Sequence, residues 1–270
     1  YYKFNAGSGT TAYDSRGTYD GTLTNEPSWM TSGAFAGPRN ALDFDGTDDY
    51  VDIGVGPGTV KTVSFWVYPG GATDYFLDLD GGTHTVWVNA GTVTATGFSS
   101  PTIYVNGVET EAIAANQWQH VVVTTSAGIN ANDLDIGAAG SNYLLGKMDE
   151  VRLWNDVRTA TEIRDDMCRS LVGNEDGLEA YYRFDQYNTA GQTTLYDITE
   201  NGYNGTLTNM DSEADWVSST AYNTWIGSDG TDWGAGGNWS GYAEPVATDN
   251  AGVVHYPSPG NAPTIGGSAA

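Results

Sequence analysis

The chain has 270 residues, with 36 glycines and 17 tyrosines, and sets 10 Lys+Arg against 34 Asp+Glu for a formal net charge of −24. Such a surface repels nucleic acid and anionic membranes, so neither is the expected partner. No apolar run approaches the roughly 18 residues that span a bilayer, and Cys168, the single cysteine, rules out an internal disulfide. Glycine, threonine, asparagine and aspartate are abundant, as in short strands joined by tight turns. The sequence opens on strand-like Tyr1-Tyr2-Lys3-Phe4 with no visible signal peptide, which suggests a piece of a longer exported polypeptide.

Residues 1–25 read as a strand, a loop and a second short strand, Gly21-Thr22-Leu23-Thr24. This segment recurs. Tyr1–Asn5 returns as Tyr181–Asp185, Tyr13-Asp14 as Tyr196-Asp197, and Asp20–Asn25 as Asn204–Asn209. Repetition at this distance indicates modular architecture. The second copy either begins another module or docks beside the first, because an isolated two-strand unit is only marginally stable.

Residues 41–53 read as a hairpin turning at Gly46-Thr47-Asp48-Asp49. Residues 60–68 are apolar on both faces, which marks a central strand whose second face can meet a ligand. Residues 75–79 and 84–88 flank an Asp-Gly-Gly turn and read as a hairpin. Strands at 92–96, 102–105, 119–125 and 134–136 follow at short spacing, the pattern of a sandwich or jelly roll.

The stretch Gly146–Gly173 reads as a closing strand followed by a helix. Strict alternation places Asp149 on the face of Val151 and Leu153, where a carboxylate needs a cation, a metal or several N–H donors. Thr159 and Glu162 form a capping box, Ile163, Met167 and Leu171 form an apolar stripe, and Gly173 is a stop. These signals predict a helix over about 160–172. The expected division is 1–173 for a sandwich, 174–222 for the repeated segment, and 223–270 for a Gly/Trp/Pro-rich linker and the start of a further β module.

Sugar rings stack their C–H faces on tryptophan and tyrosine. Trp66, Tyr68, Trp87, Tyr104 and Trp118 lie on or beside strands and are the candidate ligand-binding residues, with packing in the core as the competing role. Catalysis is not expected. A retaining glycosidase on this kind of sheet needs acids at i and i+4 along one strand, usually with a helper at i+2, and no Glu-x-Asp-x-Glu or Glu-x-Asp-x-x-Glu run exists. His84, His120 and His255 are scattered without zinc-ligand spacing. The acidic runs 43–49 and 78–80 lack an EF-hand pattern and read as solvated hairpin ends.

Four stretches carry a family resemblance: ALDFDGTDDYVDI at 41–53, YVNGV at 104–108, WQHVVVT at 118–124, and GKMDEVRLWN with RTATEI from 146. Together they resemble a laminin-G-like domain of the concanavalin A-like lectin/glucanase superfamily. That resemblance implies a two-sheet jelly-roll sandwich with one short C-terminal helix. It also implies a structural calcium near the first loop and the closing strand, which here suggests Asp14, Asp20 and Asp149 with carbonyls around Gly17. The phrases AYYRFD, TLYD and NGTLTN resemble multidomain surface proteins of gliding or biofilm-forming bacteria. The implied function is a secreted, cell-surface adhesin module. It would bind glycans or a host or substratum surface and sit next to further modules of the same polypeptide. A purely structural spacer and a glucanase-type glycoside hydrolase are the alternatives on the same fold.

Overall fold

The computed structural model describes residues 39–185 and 192–224, together with 11–12, 21–22, 24 and 251–252. Two antiparallel sheets, of eight and seven strands, enclose one hydrophobic core. The larger sheet runs Val108–Glu109, Thr102–Val105, Gln119–Ile129, Val60–Pro69, Leu145–Trp154, Asn40–Asp45 and Trp216–Ser218, and Leu178–Tyr182 also pairs with the closing strand Leu145–Trp154. The smaller sheet runs Thr194–Leu195, Gly205–Thr208, Tyr50–Gly54, Leu134–Ile136, Asp74–Asp78, Thr85–Asn89 and Thr92–Thr96. The fold is therefore an all-β jelly-roll sandwich, with one short helix among the described residues. Alternating apolar residues supply both inner faces, and Phe65 meets Phe76 edge-on between the sheets at 5.6 Å.

The predicted hairpin at 41–53 is instead an arch. Asn40–Asp45 joins the larger sheet and Tyr50–Gly54 the smaller one. Leu42 and Phe44 then meet Val51 across the core instead of lying beside it. Local alternation reads the same for both arrangements, so only distant partners separate them. The hairpin of Asp74–Asp78 with Thr85–Asn89 forms as expected.

A bulge corrects the predicted face of Asp149. Glu150 adopts φ 56°, and the ladder to Val60–Pro69 shifts register between Asp149 and Arg152. Met148 and Val151 both face the core, so Asp149 and Glu150 together occupy the outer side. Asp149 pairs with Trp66, on the side covered by the helix, opposite to Val151 and Leu153.

The helix is also shorter than its apolar stripe suggested. It starts at the Thr159/Glu162 capping box but spans only Ala160–Met167. Its last carbonyls are taken by side chains from the sheet below. Arg152 Nη1 donates to Asp166 O at 2.8 Å and Trp66 Nε1 to Met167 O at 2.9 Å, while Arg152 Nη2 reaches Arg169 O, just past the helix, at 2.6 Å. Those donors replace further helical turns, and Leu171 packs separately with Trp154, Leu178 and Tyr181.

The second copy of the repeat contributes to both sheets. Leu178–Tyr182 lies beside the closing strand, while Thr194–Leu195 and Gly205–Thr208 extend the smaller sheet at Tyr50–Gly54. Asp197 secures this segment by accepting the N–H groups of Tyr181 at 3.0 Å, Thr199 at 2.9 Å and Tyr203 at 3.0 Å.

Candidate functional site

The two outer faces of the sandwich differ in kind. That of the larger sheet is closed by the helix and by residues 217–222, over a buried network centred on Glu150. Arg152 Nη2 reaches Glu150 at 2.6 Å, Tyr222 Oη at 3.0 Å and Arg39 Nη2 at 3.2 Å, and the Tyr181 hydroxyl also donates to it. Burial opposes ionisation of Glu150, but Arg152, Arg39 and Arg183 outweigh it and hold the carboxyl below its ordinary range. Asp149 moves the other way. Burial raises its carboxyl well above the usual range, Glu150 adds repulsion, and Arg39 only partly offsets them. Its neighbours are Arg39 Nη2 at 3.6 Å and Ser219 Oγ at 2.6 Å. Asp149 thus already has a cationic neighbour supplied by the protein. Asp14, Gly17 and Asp20, the other residues suggested for calcium, lie outside the described residues.

Four of the five candidate aromatics fall on this side, and of these Tyr68, Tyr104 and Trp118 are partly exposed. Trp66 is completely buried, stacked on Tyr222 at 5.6 Å and bonded to the helix end, so it offers no face to a ligand. Trp118 packs against Trp66 and meets Tyr68 edge-on at 6.0 Å. Tyr104 stands apart, opposite Val122. His120 is buried, and burial, with help from Arg152, lowers its imidazole to about 3, so it is neutral. A cavity of about 10 Å³ beneath the helix, lined by His120, Arg152, Arg158 and Asp166 among others, has room for one water and none for a sugar.

Trp87 belongs to the other outer face, and there it acquires partners that the sequence did not suggest. Tyr75 is directly opposite on the next strand, and the rings are parallel to within 6° with centroids 5.7 Å apart. Trp87 Nε1 donates to Thr96 Oγ1 at 3.0 Å, which fixes the indole. Both rings are partly exposed, and Thr94 lies opposite Trp87 on the far side. About 7 Å along the strands, two residues away, runs a row of polar groups. Register places Thr206 opposite Asp52, Asp52 opposite Asp135, Asp135 opposite Asp78, and Asp78 opposite Thr85. Directly opposed side chains on neighbouring strands have Cβ atoms about 5 Å apart. Asp78 is pinned by the N–H groups of Gly82 at 2.8 Å and Asp80 at 3.2 Å. Among the described residues no Lys, Arg or His forms an ion pair with Asp52, Asp78 or Asp135. Burial, then repulsion from Asp52, Asp133 and Asp78, pushes the Asp135 carboxyl up to about 7.

That shift has a definite sign in stability. Between its ordinary value of 3.8 and about 7, native Asp135 holds a proton that the unfolded chain has released. Its contribution therefore falls as pH rises towards 7. The Asp135→Asn variant is expected to be more stable at pH 8. Allowing for solvent screening of this half-exposed group, the gain is about 1 kcal/mol, or roughly 2–4 °C in Tm. The gain shrinks below pH 7 and disappears near pH 4. Thermal unfolding of both proteins across this range checks it, and a variant less stable at pH 8 contradicts the assignment.

A second acidic group lies at the arch. Carboxylate oxygens of Asp45, Asp48 and Asp49 come within 4.8 Å of one another. Burial, and repulsion from Asp45, Asp215 and Asp48, raise the Asp49 carboxyl despite the N–H it accepts from Asp45. Oxygen ligands of this kind suit a hard cation such as calcium.

No protein family and no curated protein matches the chain. Among solved structures, it is similar to a candidate carbohydrate binding protein from Bacteroides ovatus, at 19% identity and a TM-score of 0.47, over 64% of this chain and 59% of that one. It is also similar to the native heptameric SAP-like pentraxin of Limulus polyphemus, at 12% identity and a TM-score of 0.28, over 57% of this chain and 95% of that one. No helix among the described residues is long and apolar enough to cross a membrane.

Proposed function

We propose that the chain is a non-catalytic carbohydrate-binding module, laminin-G-like in type, of a large secreted bacterial surface protein with an adhesive role. The carrying observation is the parallel, partly exposed Tyr75–Trp87 pair beside the Asp52–Asp135 row, on the sheet face that no described helix covers. A pyranose stacked on these rings brings its hydroxyls towards carboxylates and threonines that accept hydrogen bonds. The acidic row and the net charge of −24 favour neutral glycans over uronates and sulfated chains. A glycan array followed by calorimetry tests this reading. Trp87→Ala is expected to weaken binding of a neutral oligosaccharide at least tenfold, with the fold intact by circular dichroism. Trp118→Ala is expected to leave binding unchanged. Loss with Trp118→Ala but not with Trp87→Ala would move the site to the opposite sheet. Absence of any glycan ligand would favour the spacer reading.

One observation favours the hydrolase alternative: Asp52 and Asp135 are directly opposed on adjacent strands, and retaining glycosidases use a pair of neighbouring carboxylates. Release of reducing sugar from a bound oligosaccharide, abolished by Asp135→Asn, would replace the binding reading.

Calcium is placed at Asp45, Asp48 and Asp49 in this reading, in addition to the first-loop site implied by the family resemblance. Millimolar calcium is expected to raise the melting temperature, and Asp48→Asn is expected to remove most of the rise. An unchanged rise in that variant would assign the ion to Asp14, Asp20 and the carbonyls near Gly17 instead.

A further inference from the structure

The repeated segment presents two occupants for one position. In the second copy, Thr194 is opposite Thr206 and Leu195 opposite Gly205, and Gly205–Thr208 pairs onward with Tyr50–Gly54 of the sandwich. In the first copy, Thr11 is opposite Thr22 and Ala12 opposite Gly21. By sequence, Thr11 and Ala12 correspond to Thr194 and Leu195, and Gly21 and Thr22 to Gly205 and Thr206. The two strand pairs therefore share one register. The difference is their surroundings: Thr11–Ala12 and Gly21–Thr22 form a separate two-stranded sheet, whereas their counterparts extend the seven-stranded one.

The residues that seat the second copy have equivalents in the first. Gly205 packs against Tyr50–Gly54 so closely that a Cβ would lie 2.5 Å from Val51 Cγ1, and the first copy has Gly21 at that place. Leu207 sits opposite Val51 in the core, and the first copy has Leu23. Asn204 Oδ1 accepts the Asp197 N–H at 3.0 Å, and the first copy has Asp20, an equally good acceptor by residue type, in place of Asn204 and Asp14 in place of Asp197. One substitution at the core bears directly on their relative strength. Leu195 is completely buried, and its counterpart is Ala12. A Leu-to-Ala exchange in a core is destabilising, so the second copy is the stronger occupant.

We propose that the edge of the sandwich at Tyr50–Gly54 is a receptor for this repeated segment, and that the chain's own residues 10–25 take it whenever residues 193–208 are displaced. The unseated copy is a ready-made strand pair of the type that such an edge accepts.

The test uses the full chain and three variants: Gly21→Val, Gly205→Val and both together. Valine at either position keeps that copy from packing against Val51. The proposal expects Gly21→Val to be silent and Gly205→Val to lower Tm by a few degrees as the weaker copy takes over. The double variant should lose far more than the sum of the two. Hydrogen exchange of the Tyr50–Gly54 amides should rise at least 100-fold in the double variant only, and Thr22 should gain protection in Gly205→Val. Additive effects, whether large or small, overturn the proposal, as does a Gly205→Val variant as exposed at Tyr50–Gly54 as the double.

Discussion

Replacing Arg152 by methionine is expected to destabilise the protein by about 3–5 kcal/mol, because it leaves the buried Glu150 charge without its closest cationic partner. Arg152 is 1% exposed, bonds Glu150, and holds the helix end through Asp166 O and the segment after it through Arg169 O. Methionine fills much of the volume but donates nothing. The companion variant Arg152→Met/Glu150→Gln removes the stranded charge and should recover part of the loss. Chemical denaturation of both measures the difference. Equal destabilisation in the two would mean that the helix carbonyls, not Glu150, need Arg152.

Gly146→Ala is the second large effect. Gly146 lies within the closing strand, pairs with Phe44 on one side and Pro69 on the other, and has φ 148°. A Cβ there would sit 2.1 Å from the Tyr68 carbonyl oxygen. That neighbour is backbone in a ladder paired on both sides, so neither strand can yield without losing hydrogen bonds. The expected cost is about 3 kcal/mol or more, from overpacking and an unfavourable backbone angle. Gly140→Ala is the control, since φ is 64° there and no atom lies within 4 Å of the added carbon. It should cost only about 1 kcal/mol, from the backbone angle. Similar losses in both variants would refute the steric account.

The parts of this molecule legible in its sequence are those set by local alternation. Val63, Phe65 and Val67 announced the central strand, and Thr159 with Glu162 announced the helix start. Features that depend on distant partners were hidden. The bulge at Glu150 reverses the face of Asp149, and no residue type in Lys-Met-Asp-Glu-Val demands it. Helix length was set by Trp66 and Arg152, which lie 101 and 14 residues away from the carbonyls they bond. The candidate binding face was harder still. A search for acids spaced along one strand could not find Asp52, Asp78 and Asp135, because one comes from each of three strands. Trp87 is a candidate from sequence but Tyr75 is not: alternation puts Tyr75 on the side of Leu77 and Leu79, and the register shift between Tyr75 and Leu77 that turns it outward depends on the neighbouring strand.

The Glu150 network also dictates an order of assembly. Its donors come from Arg39, Arg152, Tyr181 and Tyr222, the last lying 72 residues downstream. A nascent chain that has reached only the helix would hold this carboxylate beside Arg39 and Arg152 but without either tyrosine. Closure of that face must therefore wait until Tyr222 has left the ribosome. Contacts of such long range make folding slow, and until they form, the unfinished side is where a chaperone would find the chain.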